Sequence, residues 1–151
     1  MKIGFLSTID QPLLPYYISS AISNRKIRFA LVGCGRIAKN HFASIEAHSD
    51  QAELVGVCDT DDKSLAAAFK KTFAKPFSNL SEMISGSEAD IVVLTTPSGL
   101  HPEQTIQLAK AGHHVMTEKP MATRWQDGKR MVQACEEAAV HLFVVKQNRY
   151  N

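Results

Sequence analysis

The chain has 151 residues, room for one ordinary domain and not for two. Hydrophobic residues at 44% and charged residues at 21% give a composition that builds a real core. Seventeen Lys and Arg against fifteen Asp and Glu leave a net charge of +2, too nearly neutral and too evenly scattered for a nucleic-acid or membrane surface.

In chain order, Met1 to Leu6 reads as a strand and Leu13 to Ile22 as a candidate helix after Pro12, together an atypical extension over residues 1–25 for which a disordered or loosely docked segment is the favoured alternative. Lys2 alone precedes a short apolar stretch broken by Asp10, Gln11 and Pro12, which makes a poor signal peptide. No apolar run approaches the ~20 residues that span a bilayer. The strand Ile27 to Val32 then runs into Gly33 and Gly35, and a helix is expected from Arg36 to about His48. Glu53 to Cys58 is a second strand and Asp61 to Phe73 a second helix. Asn79 opens a short helix over Leu80 to Ser85, with Glu82 at capping-box spacing.

Asp90 to Thr95 is a continuous apolar run of the kind buried on both faces of a parallel sheet. Pro102 to Ala111 carries proline in its first turn and Gly112 just past its end, the asymmetry of a helix. His113 to Thr117 is a strand. Thr123 and Gln126 have the spacing to cap a long helix running to about Val140, and Leu142 to Val145 is the last strand. Strands alternating with helices in this rhythm predict an α/β fold, a doubly wound parallel sheet of the Rossmann type over residues 26–151. Cys34, Cys58 and Cys135 form no CxxC and cannot all pair, so reduced thiols in a cytoplasmic protein are expected.

Gly33-Cys34-Gly35-Arg36-Ile37-Ala38 matches G-x-G-x-x-G/A. The match is common by itself. Here it follows a strand, opens a helix, and is answered by Asp59 at the end of the next strand, 21 positions after Ala38. Gly33 permits the tight turn, Gly35 lets a pyrophosphate approach the backbone, and Ala38 keeps helix and strand close. The first-turn N–H groups face the phosphates. Asp59 can accept hydrogen bonds from the adenosine ribose and would repel a 2′-phosphate, and Thr60 beside it is not basic. NAD is therefore favoured over NADP, although Arg36 and Lys63 lie close in sequence. The alternative for these residues is a plain tight turn with Asp59 capping the next helix.

In an open parallel sheet, ligands bind beyond the carboxyl ends of the strands. Thr95-Thr96-Pro97-Ser98-Gly99-Leu100-His101 and Thr117-Glu118-Lys119-Pro120 follow two such ends. With the glycine loop and Asp59, these segments resemble the Gfo/Idh/MocA family of NAD(P)-dependent sugar oxidoreductases, from about Arg25 to Asn151. RFALVGCGRIAKNHF, HVMTEKPMATRW and LFVVKQNR resemble in particular its bacterial members that oxidise UDP-N-acetylglucosaminuronate at C3 in surface polysaccharide synthesis.

The resemblance implies that Thr96, Pro97, Leu100 and His101 pack against the middle of the cofactor and that Glu118 contacts the nicotinamide ribose. It implies that Lys119 is the catalytic lysine, hydrogen-bonded to the sugar hydroxyl being oxidised, and that Gln147, Asn148 and Arg149 border the nicotinamide end. A lysine ordinarily titrates near about 10.4, so a base role needs burial or a neighbouring positive charge, and a relay or orienting role is equally open. Lys119 read without the resemblance is an exposed loop lysine with Glu118 as its partner, and His101 is simply the start of a helix.

His41 and His48 read as helix-surface residues without partners, and Trp125 as packed into the first turn of its helix. His113 and His114 point to opposite faces of a strand, against a shared metal. The family also implies a second, mostly β domain of comparable or greater size with a histidine from an aspartate-x-x-x-histidine segment, most of the sugar contacts, and homo-oligomerisation of the full-length protein. This chain is therefore expected to be truncated: able to bind NAD, inactive by itself, its substrate a nucleotide sugar, with no nucleic-acid or membrane partner. The glycine loop would serve a non-catalytic dinucleotide-binding module equally well. Glu118-Lys119-Pro120 has a role only in the enzyme.

Overall fold

The computed structural model describes residues 22–146. The expected strand at Met1–Leu6 and nearly all of the expected helix at Leu13–Ile22 lie outside the described residues, as do Gln147, Asn148 and Arg149. Six strands form one parallel sheet: β1 Ile27–Val32, β2 Ala52–Cys58, β3 Lys75–Phe77, β4 Ile91–Leu94, β5 His114–Thr117 and β6 Leu142–Val144, in the order β3-β2-β1-β4-β5-β6. This is the doubly wound order of a dinucleotide-binding fold, with its switch point between β1 and β4. The connecting helices are α1 Ala38–Ala47, α2 Asp62–Thr72, α3 Leu80–Gly86, α4 His101–Lys110 and α5 Trp125–Glu137. No helix among the described residues is long and apolar enough to cross a membrane.

Alternation along the strands divides the core into two layers. Ala30, Val32, Val92 and Leu94 join Met83, Leu108 and Val115 on one face. Leu31, Val57 and Val93 join Ala38, Phe42 and Ala68 on the other. Each central strand is apolar in both directions because each face is covered, which is why its sequence is a run rather than an alternation. Helix ends follow their local chemistry. Asp61 caps α2 by accepting from Ser64 N–H at 2.8 Å, and Phe73 closes it in the left-handed conformation at φ 57°. Asn79 caps α3 by accepting from Glu82 N–H, while Glu82 reaches back to the hydroxyl of Ser78.

Several element ends fall a residue from expectation, and four differences go further. β3 was not anticipated: Lys-Pro-Phe is three residues long, and its proline is tolerated because the strand lies at the sheet edge. Helix α1 starts at Ala38 rather than Arg36, since Arg36 and Ile37 complete the turn out of the glycine loop. Helix α5 starts at Trp125 with Arg124 at its cap and no side-chain capping bond, so the spacing of Thr123 and Gln126 forms no capping box. It ends at Glu137, short of Val140, as Ala139 turns left-handed at φ 54°.

At the amino ends of the strands, Asp90 receives both terminal nitrogens of Arg25 at 2.7 Å and the N–H of Arg28 at 2.8 Å, tying the entry of β1 to β4. The Arg25 guanidinium holds the Asp90 carboxyl below its ordinary range. Beside it, His114 Nδ1 accepts the N–H of His141 at 3.0 Å, anchoring the start of β6. Burial, then the neighbouring His141 ring, lowers the pKa of His114 below its ordinary 6.5. A base whose folded pKa lies below its unfolded value makes the unfolded chain bind more protons, so stability is lost as pH falls from above about 6.5 through the lowered value. Thermal melts at pH 8 and pH 5 should show this loss in the native chain and a smaller one in His114→Phe.

Candidate functional site

The strand register aligns the carboxyl ends. Phe77 pairs with Cys58, Cys58 with Val32, Val32 with Leu94, Leu94 with Thr117, and Thr117 with Val144. Asp59, Gly33, Thr95 and Glu118 are the next residues on four of these strands. One rim thus carries the acid, the glycine turn and the Glu118-Lys119 pair that the sequence placed on separate elements.

At the switch point the chain is closely built. Gly33 has φ +93°, and a Cβ there would stand 2.9 Å from the carbonyl carbon of Thr95 and from the N of Thr96. Thr95 N–H donates to Val32 O at 2.9 Å, and its hydroxyl reaches the carbonyls of Val32 and Gly33. Gly35 differs: a Cβ there would meet nothing within 4 Å, leaving open space over the loop. The turn after Gly35 delivers the first amides of α1, a helix with no side-chain cap and no acid in its first turn. Helices α2 to α5 each carry Asp or Glu there. An exposed glycine turn feeding an uncapped, acid-free helix start fits a pyrophosphate, whose charge would take the place of a capping carboxylate.

Asp59 is partly buried, and its carboxylate spans the turn. One oxygen accepts Cys34 N–H at 2.6 Å and the other accepts Asp61 N–H at 2.9 Å. A carboxylate has about four lone-pair sites, so acceptor capacity remains for a ribose. Burial and then the Asp59 charge push the Cys34 thiol up to about 12, and burial pushes Cys58 up to about 11, so both stay protonated and poor nucleophiles. All three cysteines are free thiols.

His101 opens α4, as the sequence allowed, with its side chain 1% exposed. Its Nε2 lies 2.9 Å from Thr96 O and its Nδ1 3.2 Å from Pro120 O. Both ring nitrogens face protein carbonyls, so His101 joins the two loops after β4 and β5, and any cofactor contact falls to its carbon edge. Thr96 spends its hydroxyl on Gln104 at 2.6 Å, while Pro97 and Leu100 are exposed on the loop. Arg36 and Thr60 are exposed beside the glycine loop and Asp59, and Ile37 is half-buried under the turn.

Glu118 is 8% exposed, and its partner is not Lys119's ammonium. Its Oε1 lies 2.8 Å from His41 Nε2, and its Oε2 accepts the backbone N–H of Lys119 at 3.3 Å. His41 is therefore no partnerless surface residue. The sequence hid this pair because 77 positions separate its members, and only the fold brings α1 beside the end of β5. His48 is exposed, as expected. Lys119 is exposed on the rim, before a cis Lys119–Pro120 bond. Trp125, expected to pack, is 76% exposed and walls a groove of about 730 Å³ with Met121, Arg124, Val132 and Glu136, beyond the Lys119 end of the rim. No cluster of three metal-ligating side chains occurs among the described residues.

A family model described as an oxidoreductase family with an NAD-binding Rossmann fold matches residues 27–146. The chain belongs to the Gfo/Idh/MocA family. It is similar to the WlbA dehydrogenase of Bordetella pertussis, solved with NADH and UDP-GlcNAcA, at 63% identity and a TM-score of 0.86, covering 87% of this chain and 39% of that one. The WlbA dehydrogenase of Chromobacterium violaceum, solved with the same two ligands, is 62% identical with a TM-score of 0.85, covering 86% and 38%. A curated relative, the D-apiose dehydrogenase of Paraburkholderia graminis, is 32% identical over 127 residues, 83% of this chain and 34% of its own length. The chain thus spans well under half the length of the relatives it matches.

The two loop glycines separate folding from binding. Gly33→Ala should cost about 3 kcal/mol of stability, from left-handed strain and the clash with the Thr95 backbone. Gly35→Ala should change stability by less than about 0.5 kcal/mol yet weaken dinucleotide binding, since its methyl fills only the open space above the loop. Chemical denaturation with a parallel cofactor titration checks both.

Proposed function

We propose that residues 26–151 bind NAD as the cofactor half of a dehydrogenase that oxidises C3 of a UDP-linked N-acetyl sugar acid. The observation that carries this reading is the common rim, where Gly33, Asp59 and Glu118 stand one residue beyond a single row of paired strand ends, with the acid-free start of α1 following the glycine turn and Lys119 following Glu118. The substrate class is supported by 62–63% identity with two dehydrogenases solved with NADH and UDP-GlcNAcA. A surface-polysaccharide role, a cytoplasmic location in keeping with three free thiols, and assembly of the full-length protein as a homo-oligomer belong to the same proposal.

In this reading the α1 amides and Gly35 bind the pyrophosphate, and the remaining lone pairs of Asp59 accept the adenosine ribose hydroxyls. Arg36, Ile37 and Thr60 flank that half. Thr96, Pro97, Leu100 and His101 form the wall under the centre of the dinucleotide, Glu118 contacts the nicotinamide ribose, and the resemblance assigns Gln147 and Arg149 to the nicotinamide end. NAD held there would supply the hydride acceptor for oxidation of the sugar carbon. Lys119 orients the hydroxyl on that carbon and takes part in moving its proton, which must leave as hydride is given up.

Calorimetric titration of this chain with NAD and NADP tests the proposal. NAD should bind at least about tenfold more tightly, because a 2′-phosphate would meet the Asp59 carboxylate. Asp59→Asn, which keeps an acceptor and removes the charge, should narrow that ratio, and Lys119→Met should leave NAD affinity within about twofold. A folded chain that binds neither dinucleotide contradicts the proposal, and a preference for NADP removes the role given to Asp59.

A further inference from the structure

We infer that His41 is a positioning residue for the nicotinamide end of the site, acting through the buried carboxylate of Glu118. The inference rests on the NAD-binding reading above and adds to it a residue from the phosphate-binding helix. Glu118 is the most enclosed acid among the described residues, and a carboxylate removed from water needs a compensating partner. His41 Nε2 at 2.8 Å is the sole side-chain partner it has among them, and the side chains of the pair are only 16% and 11% exposed. The remaining contact, Lys119 N–H to Oε2 at 3.3 Å, is longer and comes from the adjoining residue. The orientation of the carboxylate therefore depends on the imidazole.

The pair also spans the site. His41 sits one turn into α1, whose first amides face the pyrophosphate position, while Glu118 follows β5 with its own N–H fixed to Leu94 O at 3.0 Å. The hydrogen bond thus runs from the helix that would hold the middle of the dinucleotide to the strand end that would hold its reacting end. A lost bond would leave the glycine loop intact, since Gly33, Cys34 and Thr95 are held by contacts of their own. It would free Glu118 to turn, and with it the support under the backbone of Lys119. The effect should fall on the part of the cofactor beyond the pyrophosphate.

Two probes separate these halves: NAD, and ADP, which has the adenosine and pyrophosphate but no nicotinamide riboside. His41→Ala should weaken NAD binding about tenfold, as expected for a hydrogen bond to a charged group, and leave ADP binding within about twofold. His41→Gln, whose amide N–H₂ can donate to Glu118, should recover most of the NAD affinity, and Glu118→Ala should reproduce the loss. An equal loss for both probes, or no rescue by Gln, would mean that His41 only packs the helix and would overturn the inference. Unchanged NAD affinity in His41→Ala overturns it while leaving the cofactor reading intact. Failure of the native chain to bind NAD overturns both. If His41→Ala does not fold, His41→Phe, which preserves packing without a donor, gives the same comparison.

Discussion

The domain turns on the contact between Gly33 and the backbone of Thr95 and Thr96. There β1 and β4 run side by side and their chains leave in opposite directions, one into the helix on one face and one into the helix on the other. A side chain at Gly33 would drive the two loops apart, since the atoms in its way are backbone and cannot swing aside. The Thr95 hydroxyl closes the same junction from the β4 side. With the loops held this closely, the strand ends that lead into Asp59, Gly33, Thr95 and Glu118 stand side by side in one row.

Around this junction, polar groups are paired in ways that stiffen the rim without consuming it. Asp59 pins the glycine turn through Cys34 N–H and starts α2 through Asp61 N–H, so one carboxylate shapes two loops and still has lone pairs to offer. His101 does the reverse, turning its ring nitrogens inward to the carbonyls of Thr96 and Pro120, with an N–H donating to at least one of them, and so lying between the two loops. Glu118 is held from α1. The start of α1 is left as the unneutralised positive end of a helix dipole, in contrast to its four neighbours.

Most of this order was legible from local chemistry. The apolar runs of β1, β4 and β5, the Asn79 cap and the Pro102–Gly112 bracket of α4 all act within a few residues, and the sequence pattern conveys them, whereas the cap of α2 falls on Asp61, expected as the first residue of that helix. β3 escaped because three residues with a proline have no period to recognise, and they pair only because the edge of β2 is there to receive them. The Thr123–Gln126 spacing suggested a cap that the loop after Pro120 does not form, leaving Arg124 extended at the helix start and Trp125 in solvent. Of the site, Gly33 and Asp59 could be read from spacing, and Glu118 and Lys119 from resemblance. The His41–Glu118 bond could not, because it joins residues 77 apart that only the folded chain brings together.

The central claim is spatial: a dinucleotide lies along the carboxyl ends of β1, β2, β4 and β5. Amide NMR spectra of the isotopically labelled chain, followed while NAD is added, test it directly. Shifts should concentrate at Gly33 to Ala38, Asp59 to Asp61, Thr95 to Leu100 and Glu118 to Lys119, with the His114–His141 end of the sheet unmoved. Shifts centred on that opposite end, or on the groove beside Trp125 with the glycine loop silent, would contradict the account.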